Sequence, residues 1–225
     1  MRTPSRIALS LLGSTALLVA GTTPAHAIAG YFRDETTALM YSGGVQGTGL
    51  GNSTLSTPHF FGVQHFCGTA QFSAAISGAH AWSFTSFSMN CTNDKGGTTT
   101  LSALSTISTT GGQYSPVSGG RDGLLSVSTP VPGLTVRVVM SLPALAIYGL
   151  VCDYGLTTTI PLVFDWFDRS NPYRPVPANA HAQLALTEQS FQRLRFDSRC
   201  SAVLRLTARY QVLAHPGGQD LRMTP

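Results

Sequence analysis

The chain has 225 residues, of which 11% are charged, and its 14 Lys and Arg against 10 Asp and Glu leave a formal charge of +4. Few charges with abundant Gly, Ser and Thr argue against a helical protein and suit a β-rich extracellular one. A chain of this length can bury a core without metals or staples, and no later segment reaches the roughly 20 apolar residues of a membrane helix.

The first 27 residues, MRTPSRIALSLLGSTALLVAGTTPAHA, read as a secretory leader. Arg2 and Arg6 precede an apolar run from Ile7 to Ala20, and Ala25-His26-Ala27 supplies the small-residue cleavage signal. Cleavage leaves Ile28 to Pro225, expected to form a single β-rich secreted domain. With Arg2 and Arg6 removed, 12 basic residues face 10 acidic ones, a net charge of only +2.

YSGGVQGTGLGNST (Tyr41 to Thr54) has Gly44 and Gly49 at the gap of a phosphate loop. Leu50 stands where that loop needs lysine, so the glycines are read as turn or leader residues. Phe61, Val63, His65 and Cys67 alternate on one strand face. Trp82 and Phe84 share one phase while Phe87, Met89 and Cys91 share the other, which predicts a β-bulge near Thr85-Ser86. Thr98 to Thr110, between Gly96-Gly97 and Gly111-Gly112, reads as an edge or outer strand.

After the Val131-Pro132-Gly133 turn, Leu134, Val136, Val138, Met140 and Leu142 are in phase. Leu145 to Tyr154 is apolar on both faces and is expected to be a fully buried strand. Leu156, Ile160, Leu162, Phe164 and Trp166 form the next phase. Asp168 to Asn179 is a Pro-punctuated loop, the best place for a domain boundary. In Ala180 to Arg195, Leu184, Thr187, Phe191 and Leu194 fit a helical face, although Ala182, Leu184 and Leu186 also alternate; a short helix is the preferred reading. From Cys200 to Val212 the even positions Cys200, Ala202, Leu204, Leu206, Ala208, Tyr210 and Val212 are apolar and the odd ones polar except Val203, a long half-buried strand. The expected fold is all-β, a mainly antiparallel β-sandwich of roughly eight to ten strands with two disulfides and at most one short helix.

An exported chain with Cys67, Cys91, Cys152 and Cys200 calls for two disulfides, of which 67–91 with 152–200 joins neighbours along the chain. His65, Cys67, His80 and Cys91 also spell a zinc set or a Cys–His nucleophile. The cysteines lie too far apart for a zinc knuckle, and both chemistries need a free thiolate. They are therefore read as inward staples, with His65 and His80 as framework groups. Asp165 and Asp168 flank Trp166-Phe167, a pairing a glycosidase could use, but carboxylates so placed are more often solvated. No G-x-S-x-G elbow occurs, and no catalytic residue, metal ligand or cofactor is assigned.

One charge asymmetry stands out. Arg193, Arg195, Arg199, Arg205, Arg209 and Arg222 face only Asp197 and Asp220 over the last segment, a local +4. Arg205 and Arg209 fall in the outward phase of the final strand, as a stripe able to meet phosphate or carboxylate groups. Tyr210 points the other way, so a nucleic-acid partner is not expected. The function expected is thus a secreted, non-enzymatic protein binding an anionic envelope polymer or an extracellular protein. The alternatives are a secreted hydrolase or a membrane-inserting hairpin formed by Thr98 to Pro130. That hairpin would need large apolar residues alternating on its outer face, and Leu101, Ala103 and Ile107 supply few.

Overall fold

Alternation of period two runs through nearly every segment of the computed structural model, which describes residues 28–51, 53–58, 62–105, 107–108, 111–127, 134–156, 161–195 and 197–225. The leader lies outside the described residues. The strands are β1 (Ile28–Asp34), β2 (Gly43–Gly49), β3 (Ser53–Thr57), β4 (Val63–Ser77), β5 (Ala81–Asn93), β6 (Thr98–Ala103), β7 (Ile107–Ser108) and β8 (Gly112–Tyr114). They continue with β9 (Gly123–Val127), β10 (Thr135–Leu142), β11 (Ile147–Gly155), β12 (Leu162–Phe167), β13 (Gln183–Arg193), β14 (Val203–His215) and β15 (Leu221–Thr224). The sole helical element among the described residues is a 3-10 turn at Pro143–Leu145.

Every strand pair is antiparallel, and the sheet closes on itself. Hydrogen bonding runs β13–β11–β10–β6–β5–β4–β2–β14, and β14 returns to β13 in register from Gln183↔Gln211 to Gln192↔Val203. At β13 the sheet forks. Gln183 to Ala185 pair with β12, leading through β9, β8 and β1 to β15, whereas Gln192 and Arg193 pair with β11. The expected sandwich is thus built from one sheet whose walls curl round to face each other over a shared core.

The core lies where the fork brings distant strands together. Phe32 of β1 meets Trp82 of β5 at 5.2 Å and Trp166 of β12 at 5.0 Å, both edge-on. Phe72 of β4 meets Tyr210 of β14 at 5.2 Å. Such pairs contribute about 0.5–1.5 kcal/mol each beyond their buried area. Gly47 has a packing role here instead of a turn role, because a Cβ on it would come 2.0 Å from the Phe72 ring.

Several expectations are met in detail. The register of β4 against β5 slips between Ser73/Ala74 and Ser86/Phe84, so Thr85 is the extra residue of the predicted bulge. A second slip at Cys67/Thr69 leaves Gly68 as another. Cys200 and, on β14, Leu204, Leu206, Ala208, Tyr210 and Val212 are all buried, whereas Ala202, expected on the same face, is exposed and precedes the strand, which begins at Val203. Cys67–Cys91 and Cys152–Cys200 are the disulfides. Only two register pairs join β11 to β13, and Cys152–Cys200 lies beside them, covalently closing the weakest seam of the ring.

Three expectations are corrected. Ala180 to Arg195 holds no helix: β13 alternates through Leu184 and Leu186, then bulges at Thr187-Glu188 and resumes with Gln189 and Phe191 inward. That one-residue slip converts a period of two into spacings that imitate a helix. Leu145 to Tyr154 is not buried on both faces: Leu145 lies in the 3-10 turn, Val151 is exposed on the outward phase, and Tyr148 is 72% exposed at a register slip that sets Tyr148-Gly149 opposite Ser141. Nor is β6 an edge, since β5 and β10 flank it. It is Thr-rich because Thr98, Thr100 and Ser102 face water, with Thr99 and Leu101 inside.

Candidate functional site on the outer wall around β14

The inward phase of β14 is saturated with apolar residues, which forces Arg205, Thr207, Arg209 and Gln211 outward. Arg205 and Arg209 are exposed, four residues apart along the strand and so about 13 Å from each other. Among the described residues neither takes part in an ion pair. The other arginines of the segment are engaged. Arg193 donates to the carbonyls of Asp197 and Cys200, Arg199 pairs with Asp197 at 3.0 Å, and Arg222 lies 4.0 Å from Glu35. Arg195 acts electrostatically on Asp153. The sequence-derived cluster of six thus reduces to a stripe of two. Between them the β13 bulge brings an exposed acid, since Glu188 N–H donates to Thr207 Oγ1 at 3.0 Å.

The wall beside the stripe is laid out by register. Thr207 faces Thr54 of β3, Thr54 faces Phe66 of β4, Phe66 faces Thr92 of β5, and Thr92 faces Thr98 of β6. In the next row Arg205 faces Ser56, which faces Gln64. The strands β2 to β6 contain no Asp, Glu, Lys or Arg.

The opening candidates of the His–Cys stretch resolve as framework. Cys67 and Cys91 face each other across β4 and β5 and are bonded, so neither supplies a thiolate. His65 is fully buried. Asn93 Nδ2 donates to Thr99 Oγ1 at 3.3 Å, and the same hydroxyl shares a hydrogen bond with His65 Nδ1 at 2.8 Å. Burial drives the His65 pKa down to about 4, with only partial opposition from the Asp94 charge. His80 is exposed, bonded to the Gly78 carbonyl and edge-on to Tyr31. Among the described residues no group of three His, Cys, Asp or Glu side chains is arranged to hold a metal ion.

Of the two aspartates flanking Trp166-Phe167, Asp165 pairs with Arg121 at 3.6 Å. Asp168 is not solvated as expected. Its Oδ1 accepts from Trp166 Nε1 at 2.6 Å and from Met223 N–H at 2.8 Å, tying β12 to β15. Burial, with smaller contributions from Asp122 and Glu35, raises its pKa to about 6. Asp122 in turn accepts from Asp168 N–H at 2.7 Å and Asn171 Nδ2 at 2.8 Å. Sequence reasoning missed this cluster, whose hydrogen-bonded members run from Asp122 to Met223. It also missed Phe66, although an aromatic in the outward phase of a strand was legible.

No protein-family model, no curated protein and no solved structure matches this chain.

Proposed function

We propose that this chain is an exported, non-catalytic binding protein that holds an anionic envelope polymer on its outer wall through Arg205 and Arg209. The observation carrying this reading is that these two guanidinium groups stand exposed and, among the described residues, without an ion-pair partner while their neighbours along the chain are engaged. Guanidinium groups recognise carboxylate and phosphate by paired hydrogen bonds, and a rigid strand fixes their separation. Export is supported by the leader-like first 27 residues and by two disulfides, which persist in oxidising compartments.

Binding to immobilised polygalacturonate and to long-chain polyphosphate, followed by calorimetry at 50 mM and 500 mM salt, tests the reading. Affinity should fall with salt and be lost in Arg205→Ala/Arg209→Ala. Polyanion binding unchanged by that double substitution removes the stripe from the account.

A second reading, hydrolysis with Asp168 as general acid, is favoured by its raised pKa beside Asp122 and Glu35. It ranks behind because Asp168 Oδ1 is already committed to Trp166 and Met223. Turnover of a glycoside or ester substrate that disappears in Asp168→Asn would promote it.

A further inference from the structure

Resting on the reading of β14 above, we infer that the bound polymer is a glycan carrying acid groups, and that Phe66 is the platform on which one of its sugar rings stacks. Phe66 is 54% exposed, and among the described residues it is the single large apolar side chain exposed on β2 to β6 and β14. It does not sit on a featureless strand. The bulge at Gly68 opens a groove of about 560 Å³ beside it, lined also by Thr69, Asn90 and Thr92.

The chemistry of the wall selects the occupant. A row runs from Thr207 through Thr54 and Phe66 to Thr92 and Thr98, perpendicular to the strands and about 19 Å long at the usual strand spacing. Hydroxyl and amide groups surround one aromatic ring, and surfaces of soluble proteins are ordinarily richer in charge. A sugar offers both complements, an apolar C–H face for the ring and hydroxyl edges for Asn90, Thr69 and Thr92.

Charge is confined to the borders. On one side stand Arg205 and Arg209, with Glu188 of the β13 bulge between them; on the other, Asp94 and Lys95 pair with each other at 3.0 Å. An acidic glycan sets acid groups on β14 and lays the apolar C–H face of another ring over Phe66, whereas polyphosphate, which has no ring, gains nothing from Phe66.

The test uses the whole chain and three probes: polygalacturonate, neutral dextran and long-chain polyphosphate. Phe66→Ala should weaken polygalacturonate binding roughly tenfold and leave polyphosphate binding unchanged. Gly68→Leu should do the same by filling the groove, since a Cβ at Gly68 meets nothing within 4 Å and the fold tolerates it. Phe66→Trp should preserve binding and show an emission change on adding polygalacturonate but not polyphosphate. Dextran should bind weakly, and that binding should survive Arg205→Ala/Arg209→Ala. Polygalacturonate affinity untouched by Phe66→Ala overturns the inference. Wild-type chain that binds polyphosphate and ignores polygalacturonate also overturns it, while leaving the arginine stripe standing. A chain that binds neither polyanion removes the stripe and the glycan site together.

Discussion

Replacing Asp168 by Asn probes whether the carboxylate that ties β12 to β15 is a liability at neutral pH. Burial, reinforced by Asp122 and Glu35, raises its pKa from 3.8 to about 6. Between those values the folded chain keeps a proton that the unfolded chain has released. Stability therefore falls as pH rises through that window, and the whole penalty is present at pH 7. Slightly more than two pH units, at 1.36 kcal/mol each, amount to roughly 3 kcal/mol. Asparagine retains an oxygen acceptor for Trp166 Nε1 and Met223 N–H without the charge. Asp168→Asn should therefore be more stable than the parent by up to about 3 kcal/mol at pH 7, and the gain should vanish near pH 3.5. Urea unfolding of both proteins at the two pH values measures it. Asp34, Asp94, Asp153 and Asp197, whose pKa values are lowered, contribute alike to both proteins and drop out of the difference. A variant less stable at pH 7, or a difference independent of pH, would refute the burial argument.

His65 supplies the opposite dependence. With its pKa depressed from 6.5 to about 4, it should cost roughly 3 kcal/mol of stability as pH falls across that range, and its ring protons should titrate near pH 4 by NMR; a midpoint near 6.5 would contradict its burial. Cys67→Ala/Cys91→Ala and Cys152→Ala/Cys200→Ala remove cross-links spanning 24 and 48 residues. The chain-entropy model assigns them about 3.5 and about 4.1 kcal/mol, so thermal unfolding should show the two losses nearly equal, the second slightly larger. Gly47→Ala should destabilise by about 2 kcal/mol by driving a methyl into Phe72, whereas Gly68→Ala should be close to neutral; equal midpoints for the two in urea would discount the packing role of Gly47.

The period-two rule by itself placed the inward face of β14, the inward pair Cys67 and Cys91 and the bulge at Thr85, because each is a property of one strand and its immediate phase. It went astray at β13, where a bulge at Thr187-Glu188 reproduces helical spacing; only the pairing of Gln189 to Gln192 with Val203 to Leu206 reveals the strand. It also placed Arg205 and Arg209 outward, but said nothing of which arginines were already engaged. That depended on Asp197 and Glu35, and on carbonyls such as that of Cys200, being brought alongside by the fold.

What tertiary structure alone decided is the company each residue keeps across the sheet. Closure of β13 on β14, the burial of Asp168 under β15, and the row that sets Phe66 two strands from Thr207 all join residues far apart in sequence. Side-chain direction is fixed by the local backbone and can be read from alternation. Register between distant strands is fixed by which hydrophobic faces fill one core together, and no single strand carries that information.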